Sequence, residues 1–311
     1  MTASCLVCGS PESVPVGRQA GYDVALCTDC RVLYVTPQPD AAEISRAYAT
    51  GSLIEDNGTE RRDPDGAVQY PRWKRNECGR IAGELARLSR GRRLLDVGCL
   101  WGLFLESARA RGFEVTGAEP WSEAASYCKE RLGLRVLNGS LEDVCKLGER
   151  YDAITLLDVV EHSPDPAAMT GIAARLLAPG GLLCIGTPNV DGLIPRLSRL
   201  KRRLRGQASR YLSPPPPFHL FGFNRSSLCA LLSRAGLRPE RIRTLSSIDT
   251  VGASVPRPRG QATALHLLSL FSKLAAAGDR MLVYARLGEV PRQPPAAVPA
   301  GEGSGRTEME A

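Results

Sequence analysis

The sequence predicts an α/β fold, a mostly parallel sheet with helices on both faces. Three observations carry this. Short apolar runs alternate with helical patterns of about ten residues from about residue 91 to about residue 290. Glycine or proline closes most of the helical patterns, and the first apolar run opens directly into a glycine-bearing turn. Strands joined through single helices pair in parallel by right-handed crossovers, and the crossover helices cover the sheet.

In order, Arg93 to Val97 (RLLDV) is the first strand. A helical pattern from Leu103 to Arg111 follows, and Gly112 stops it, because a helix ends readily in a left-handed residue and glycine bears no Cβ to oppose that. Phe113 to Ala118 is the second strand and ends at Glu119. Ser122 to Leu132 is helical, with Gly133 as its stop. Arg135 to Leu137 and Tyr151 to Leu157 (YDAITLL) are the third and fourth strands. A helix from Pro166 to Leu177 is stopped by Pro179-Gly180-Gly181, and Leu182 to Gly186 is the fifth strand. Asn224 caps a later helix that Gly236 ends. Leu237 to Leu245 and Arg280 to Arg286 are expected as an antiparallel pair on the sheet edge.

The turn after the first strand carries Gly98 and Gly102. A ligand at the carboxyl end of a parallel strand must approach the backbone closely, and a Cβ there would block it. Glu119 ends the second strand, about 20 residues on, where a carboxylate can accept both hydroxyls of a ribose. The stretch from Gly98 reads GCLWGL rather than G-x-G-x-x-G, which argues against NAD and FAD.

The run LLDVGCLWGLFLESA resembles motif I of class I S-adenosylmethionine-dependent methyltransferases, usually D-V-G-C-G-x-G. GAEP at 117–120, YDAITLLDVVEHSPDP at 151–166, LLAPGGLLCIGTPN at 176–189 and HLFGFNRSSLCALLSRAGL at 219–237 are similar to the same family, in the same order. The resemblance covers roughly residues 70 to 287. It implies a Rossmann-like methyltransferase fold, with a mostly parallel seven-stranded sheet. It also implies that Asp96, Gly98 and Gly102 line the methionine part of S-adenosylmethionine and that Glu119 holds the ribose. Pro120 and Trp121 would border the adenine, Ser140 and Leu141 would flank its ring, and Asp158 and Val159 would lie beside the sulfonium. The family's middle glycine is Leu100 here. If that position requires positive φ, leucine is strained there.

Methyl transfer to a hydroxyl needs alignment, exclusion of water and loss of a proton. Of three histidines, His162 follows the fourth strand and His219 precedes LFGF after a proline run; these two are the candidate bases. His162 could equally cap its loop. His266 lies in an apolar stretch and reads as structural. Glu161 and Asp158 could serve if the acceptor is already acidic.

Cys5-x2-Cys8 and Cys27-x2-Cys30, 18 residues apart, have the spacing of a tetrahedral zinc ribbon. Four thiolates leave no open position, so this zinc is expected to be structural, holding a segment too short for its own core. The pattern CLVCGS…CTDC…LYVTPQP joined to such a core resembles methyltransferases of sugar, polysaccharide and secondary-metabolite modification. The remaining six cysteines lie in strand and helix patterns and read as small apolar residues.

The expected organisation is a zinc ribbon over 1–38, a helical connecting segment over 39–90, a core over 91–290 with a basic insertion near 190–218, and a disordered tail over 291–311. Within the insertion, LIPRLSRLKRRLR at 193–205 places Leu193, Leu197, Leu200 and Leu204 on one helical face and arginine and lysine on the other. The bland expectation is a lid helix resting its leucines on the core. The sharper one is peripheral contact with an anionic membrane. The 311 residues carry a formal net charge of +7, but no aromatic-interleaved basic groove accompanies it, so nucleic acid is not the expected partner. Met1 to Cys8 lacks an apolar signal-type run and no uninterrupted apolar window spans a bilayer, so a cytoplasmic protein is expected. The resulting expectation is methyl transfer to a small-molecule acceptor. An RNA or protein acceptor, or a non-catalytic binding protein, is the alternative.

Overall fold

The computed structural model of the chain describes residues 4–40, 42, 44, 46, 61–63, 65–206, 212, 215–246 and 277–288. The apolar stretch 262–277 (all but its last residue), His266 within it and the tail 291–311 lie outside the described residues.

The chain opens with a hairpin, β1 (Ser13–Gln19) and β2 (Tyr22–Cys27), followed by β3 (Leu33–Val35). Ala20 and Gly21 both have positive φ and close the hairpin with a two-residue turn whose twist matches the strands. A two-stranded ribbon, β4 (Arg61–Arg62) and β5 (Val68–Gln69), leads to α1 (Arg72–Leu88). The core then runs β6 (Arg93–Val97), α2 (Leu103–Arg109), β7 (Glu114–Glu119), α3 (Ser122–Glu130), β8 (Arg135–Asn138), α4 (Leu141–Cys145), β9 (Tyr151–Leu157), α5 (Pro166–Leu176) and β10 (Leu177–Pro188). It ends with α6 (Leu193–Leu204), β11 (Phe221–Gly222), α7 (Arg225–Arg234), β12 (Leu237–Leu245) and β13 (Arg280–Leu287).

The main sheet has seven strands in the order β12-β13-β10-β9-β6-β7-β8, with β13 antiparallel to both neighbours. The expected antiparallel edge pair is therefore present, with β13, the last strand among the described residues, inserted beside β10. Side chains alternate across the sheet as the pleat requires. Leu94, Ala153 and Leu182 face α1 and α2, whereas Leu95, Ile154 and Leu183 face the core under α5 and α7. Each fully buried leucine is worth about 1.5–3 kcal/mol of burial, so the clusters on both faces contribute to the stability of the sheet.

Three expectations change. The helix stop at Pro179-Gly180-Gly181 lies within a strand: β10 begins at Leu177 and its register with β9 shifts between Leu177 and Leu182. The cysteine-bearing segment is not a separate unit, because β3 pairs with β11 and the four-stranded sheet β1-β2-β3-β11 crosses from residue 13 to residue 222. The leucine face of α6 does not rest on the core: Leu197, Leu200 and Leu204 are 47%, 55% and 79% exposed, and no residue of the helix is buried. No helix among the described residues is long and apolar enough to cross a membrane.

Candidate active site at the carboxyl ends of the strands

A cavity of about 530 Å3 lies across the carboxyl ends of β6, β7, β8 and β9, where an open α/β sheet places its ligands. The strand ends bring together residues far apart in sequence. Asp96, Gly98, Glu119, Pro120, Ser140, Leu141, Asp158 and Val159 all line it, as do His162 and His219. Gly102 and Trp121 do not. Gly102 has φ +80 at the start of α2, and a Cβ there would meet Leu134, Cys128 and Leu132 at 2.9–3.0 Å, so it lets the turn pack closely against α3 and the loop that follows it. Trp121 is buried edge-on against Trp101, 4.7 Å between ring centroids.

At the end formed by the glycine turn, Gly98 has φ +68 and a Cβ there would stand 2.8 Å from Val159 Cγ2. Leu100 also has positive φ, +49, a conformation costing roughly 1–2 kcal/mol for a non-glycine residue. Its N–H donates to Glu119 Oε2 at 2.8 Å, and the Trp121 N–H donates to Oε1 at 2.9 Å. Each carboxylate oxygen has capacity to accept a further hydrogen bond, and Glu119 lines the cavity. Burial holds Glu119 above the usual carboxylate range, against these two donors. Asp96 is buried and accepts from the Thr155 hydroxyl at 2.6 Å. Burial pushes its carboxyl up to about 7, and the Glu119 charge adds to the effect. Ser140 begins α4 in a reciprocal cap with Asp143.

The other end is built from the turn after β9 and from residues 218–220. Asp158, at φ +57, pairs with Arg280 at 2.7 Å. Arg280 also reaches Glu77 of α1 at 3.5 Å. Burial alone would raise Asp158, but Arg280 and Lys74 hold it below the usual range. Glu161 is 1% exposed, and neither carboxylate oxygen has a hydrogen-bond partner. Burial and the neighbouring Asp158 push it up to about 8. His162 Nδ1 lies 2.6 Å from the Phe218 carbonyl oxygen. A carbonyl can only accept, so Nδ1 carries the proton and Nε2 keeps its lone pair. Burial holds His162 below its ordinary value, so the ring is neutral at neutral pH. The rings of His162 and His219 meet edge-to-face at 4.7 Å.

Sequence reasoning missed Arg280, Glu77 and Phe218. Arg280 is one of 40 basic residues, and only the register of β13, which sets it opposite Pro188, brings it to the cavity. Phe218 carried a signal, adjacency to His219, but nothing in sequence set its carbonyl against His162.

The four N-terminal cysteines converge. Cys5 and Cys30 sulfurs are 3.8 Å apart, Cys8 and Cys27 sulfurs 3.5 Å, and all four lie within 4.8 Å of one another. Sulfurs at about 2.3 Å from a tetrahedral zinc are separated by about 3.8 Å, so the residues fit that ion. Hydrogen bonding from Cys30 draws the Cys5 thiol down to about 5 despite its burial, so one thiolate is already favoured.

Residues 70–242 match a family model described as a methyltransferase domain. Among curated proteins, the chain is 36% identical over 165 residues to a ubiquinone biosynthesis O-methyltransferase of Klebsiella pneumoniae, covering 51% of this chain and 65% of that protein. It is 39% identical over 105 residues to the protein of the same name from Alkalilimnicola ehrlichii, covering 32% and 42%. The chain thus spans less than two thirds of the length of these relatives. Among solved structures, the [4+2]-cyclase SpnF superimposes with a TM-score of 0.52 at 18% identity, over 80% of this chain and 97% of that one, a likeness of fold alone.

Proposed function

This chain belongs to the methyltransferase-domain family, and from that premise we propose that it moves a methyl group from S-adenosylmethionine to a hydroxyl of a small-molecule acceptor. One observation carries the reading. A single cavity joins the glycine turn and Glu119 at one end to Glu161, His162 and His219 at the other. Asp96, Gly98 and Glu119 would hold the cofactor's polar groups, with Pro120, Ser140 and Leu141 along its base and Asp158 and Val159 toward its sulfur. When bound, the cofactor supplies an electrophilic methyl group, so no covalent enzyme intermediate is needed.

The chain's own residues have three tasks. The walls from Phe104, Leu157 and Met169 exclude water from the reacting atoms. Phe218 fixes the His162 tautomer so that a lone pair faces the acceptor. His162 and His219 are the groups through which the hydroxyl proton is lost. The acceptor class that fits is a sugar, a glycolipid or another secondary metabolite. The named relatives act in ubiquinone biosynthesis, which supports oxygen as the methylated atom.

Four further features belong to the same reading. Zinc on Cys5, Cys8, Cys27 and Cys30 is structural. Gly102 supports the cofactor turn from behind, and Trp121 does so through its amide on Glu119. The exposed leucines and arginines of α6 bring the protein to an anionic membrane surface, from which a lipid-borne acceptor is reached. The protein works on the cytoplasmic side of that surface. The test is transfer of labelled methyl from S-adenosylmethionine to polar and lipid extracts. Transfer lost in Gly98→Arg supports the reading, and no transfer to any extract overturns it.

A further inference from the structure

Arg280 reaches the cavity from two strands away. The sheet order places β10 between β13 and β9, and Arg280 sits opposite Pro188 at the end of β10. Its guanidinium crosses β10 over Gly186. A Cβ there would stand 3.4 Å from Arg280 Nη2, 3.0 Å from Leu157 Cδ2 and 3.1 Å from Leu282 Cδ2. Glycine inside a strand gives up side-chain packing and marks a close approach. On the far side, Arg280 Nη1 meets Asp158 Oδ1 at 2.7 Å, and Nε stands 3.5 Å from Glu77 Oε1 on α1. One side chain therefore joins β13, the turn after β9 and α1, and all three residues line the cavity.

We propose that Arg280 is a positioning residue for the cofactor: reaching across Gly186, it holds the Asp158 carboxylate against the sulfonium. The inference rests on the reading that puts Asp158 beside the cofactor's sulfur. Asp158 needs such a partner for two reasons. Its φ of +57 is a left-handed conformation disfavoured for a residue with a Cβ, and an ion pair fixes the side chain where the backbone is strained. Burial also works against its charge, and Arg280 is the strongest influence opposing burial, with Lys74 next. The charged and titratable groups around it are Arg280 from β13, Lys74 and Glu77 from α1, and Glu161 and His162 from its own turn. Among the described residues, Arg280 is the one that forms an ion pair with it.

A carboxylate beside the sulfur favours the sulfonium of S-adenosylmethionine over the neutral thioether of S-adenosylhomocysteine. The pair thus bears on how the site tells one form from the other. Arginine suits the task, because its guanidinium stays charged and its planar fork can serve two carboxylates at once. Without it, burial dominates and Asp158 takes up a proton in the neutral range. The site then gains its anion only as pH rises.

The experiment is calorimetric titration of the full chain with S-adenosylmethionine and S-adenosylhomocysteine in mildly acidic and mildly alkaline buffer. The ratio of the two affinities cancels what the ligands share. The wild type supplies the baseline for Asp96, Glu119 and Glu161, which titrate in every variant. In Arg280→Gln the preference for S-adenosylmethionine is expected to rise about tenfold more than in the wild type between about pH 6 and about pH 8. Arg280→Gln/Asp158→Asn is expected to lose that extra rise. Retained S-adenosylhomocysteine binding shows that a variant is folded. If Arg280→Gln does not fold, Arg280→Gln/Glu77→Gln removes one charge of each sign and carries the same expectation. No extra rise in a folded variant, or an extra rise that survives Asp158→Asn, overturns the inference and leaves the proposed function standing. A wild type that binds neither ligand defeats the proposed function itself.

Discussion

Leu100 donates its backbone N–H to the Glu119 carboxylate at 2.8 Å, so the strained residue of the glycine turn is tied to the side chain that we propose as the ribose acceptor. The turn and the end of β7 therefore behave as one unit. A change in either is felt by the other.

Glu119→Ala is expected to weaken S-adenosylhomocysteine binding by tenfold or more, which corresponds to about 1.4 kcal/mol. The hydrogen bonds that the cofactor's two ribose hydroxyls would donate to the Glu119 carboxylate would be lost, and the Leu100 and Trp121 amides would lose their acceptor. Calorimetric titration checks this. Unchanged affinity would remove Glu119 from the binding site.

Leu100 reverses an ordinary ranking. At most positions alanine is more stable than glycine, but at φ +49 the Cβ is what costs. Leu100→Gly is expected to be more stable than Leu100→Ala by about 1 kcal/mol in urea denaturation. The opposite order would show that the turn relaxes out of the left-handed region.

Asp96 gives a pH dependence with a definite sign. Its folded-state carboxyl is raised to about 7, above an unfolded value near 4. Its contribution is fully present below that unfolded value and is lost as pH rises through about 7, by an amount on the order of a few kcal/mol. Glu119 and Glu161 are raised too and act in the same direction. Ligand-free protein should lose stability between about pH 4 and 7, and Asp96→Asn should flatten the curve. An Asn variant with the same slope would place the titration elsewhere.

The ribbon and the acceptor wall should lose order together. The Val35 N–H donates to the Leu220 carbonyl, the Leu220 N–H donates to the Glu161 carbonyl, and Asn224 holds Arg31. Stripping zinc, or Cys27→Ser, is expected to expose the amides of Val35 and Leu220 to hydrogen exchange at the same rate. Protection retained at Leu220 after loss at Val35 would show that the ribbon is dispensable to the site.

The exposed face of α6 should bind lipid. Sedimentation with anionic vesicles, and none with neutral ones, is expected for the wild type. Replacing Leu197, Leu200 and Leu204 by serine should abolish most of it. Equal sedimentation of the triple variant would assign the contact to charge alone.

Much of the fold was readable in order. The glycine stops at 112, 133 and 236 and the Asn224 cap mark real helix ends, because a left-handed residue or a side-chain acceptor acts within one turn of chain. The four cysteines were readable for a similar reason, since a ligand set carries its geometry in its spacing. Glu119 followed from its place at the carboxyl end of a parallel strand, Asp96 and Asp158 from the family resemblance, and all three line the cavity.

What only the tertiary structure decided depends on pairing at a distance. Arg280 reaches Asp158 because β13 is inserted antiparallel beside β10, a register no local pattern encodes. β3 pairs with β11 from far along the chain, Tyr34 with Phe221, and a two-residue strand such as Phe221–Gly222 has no periodicity to announce it. The leucines of α6 have the same spacing whether they rest on a core or face solvent, so the sequence determined their alignment and the packing alone determined their exposure.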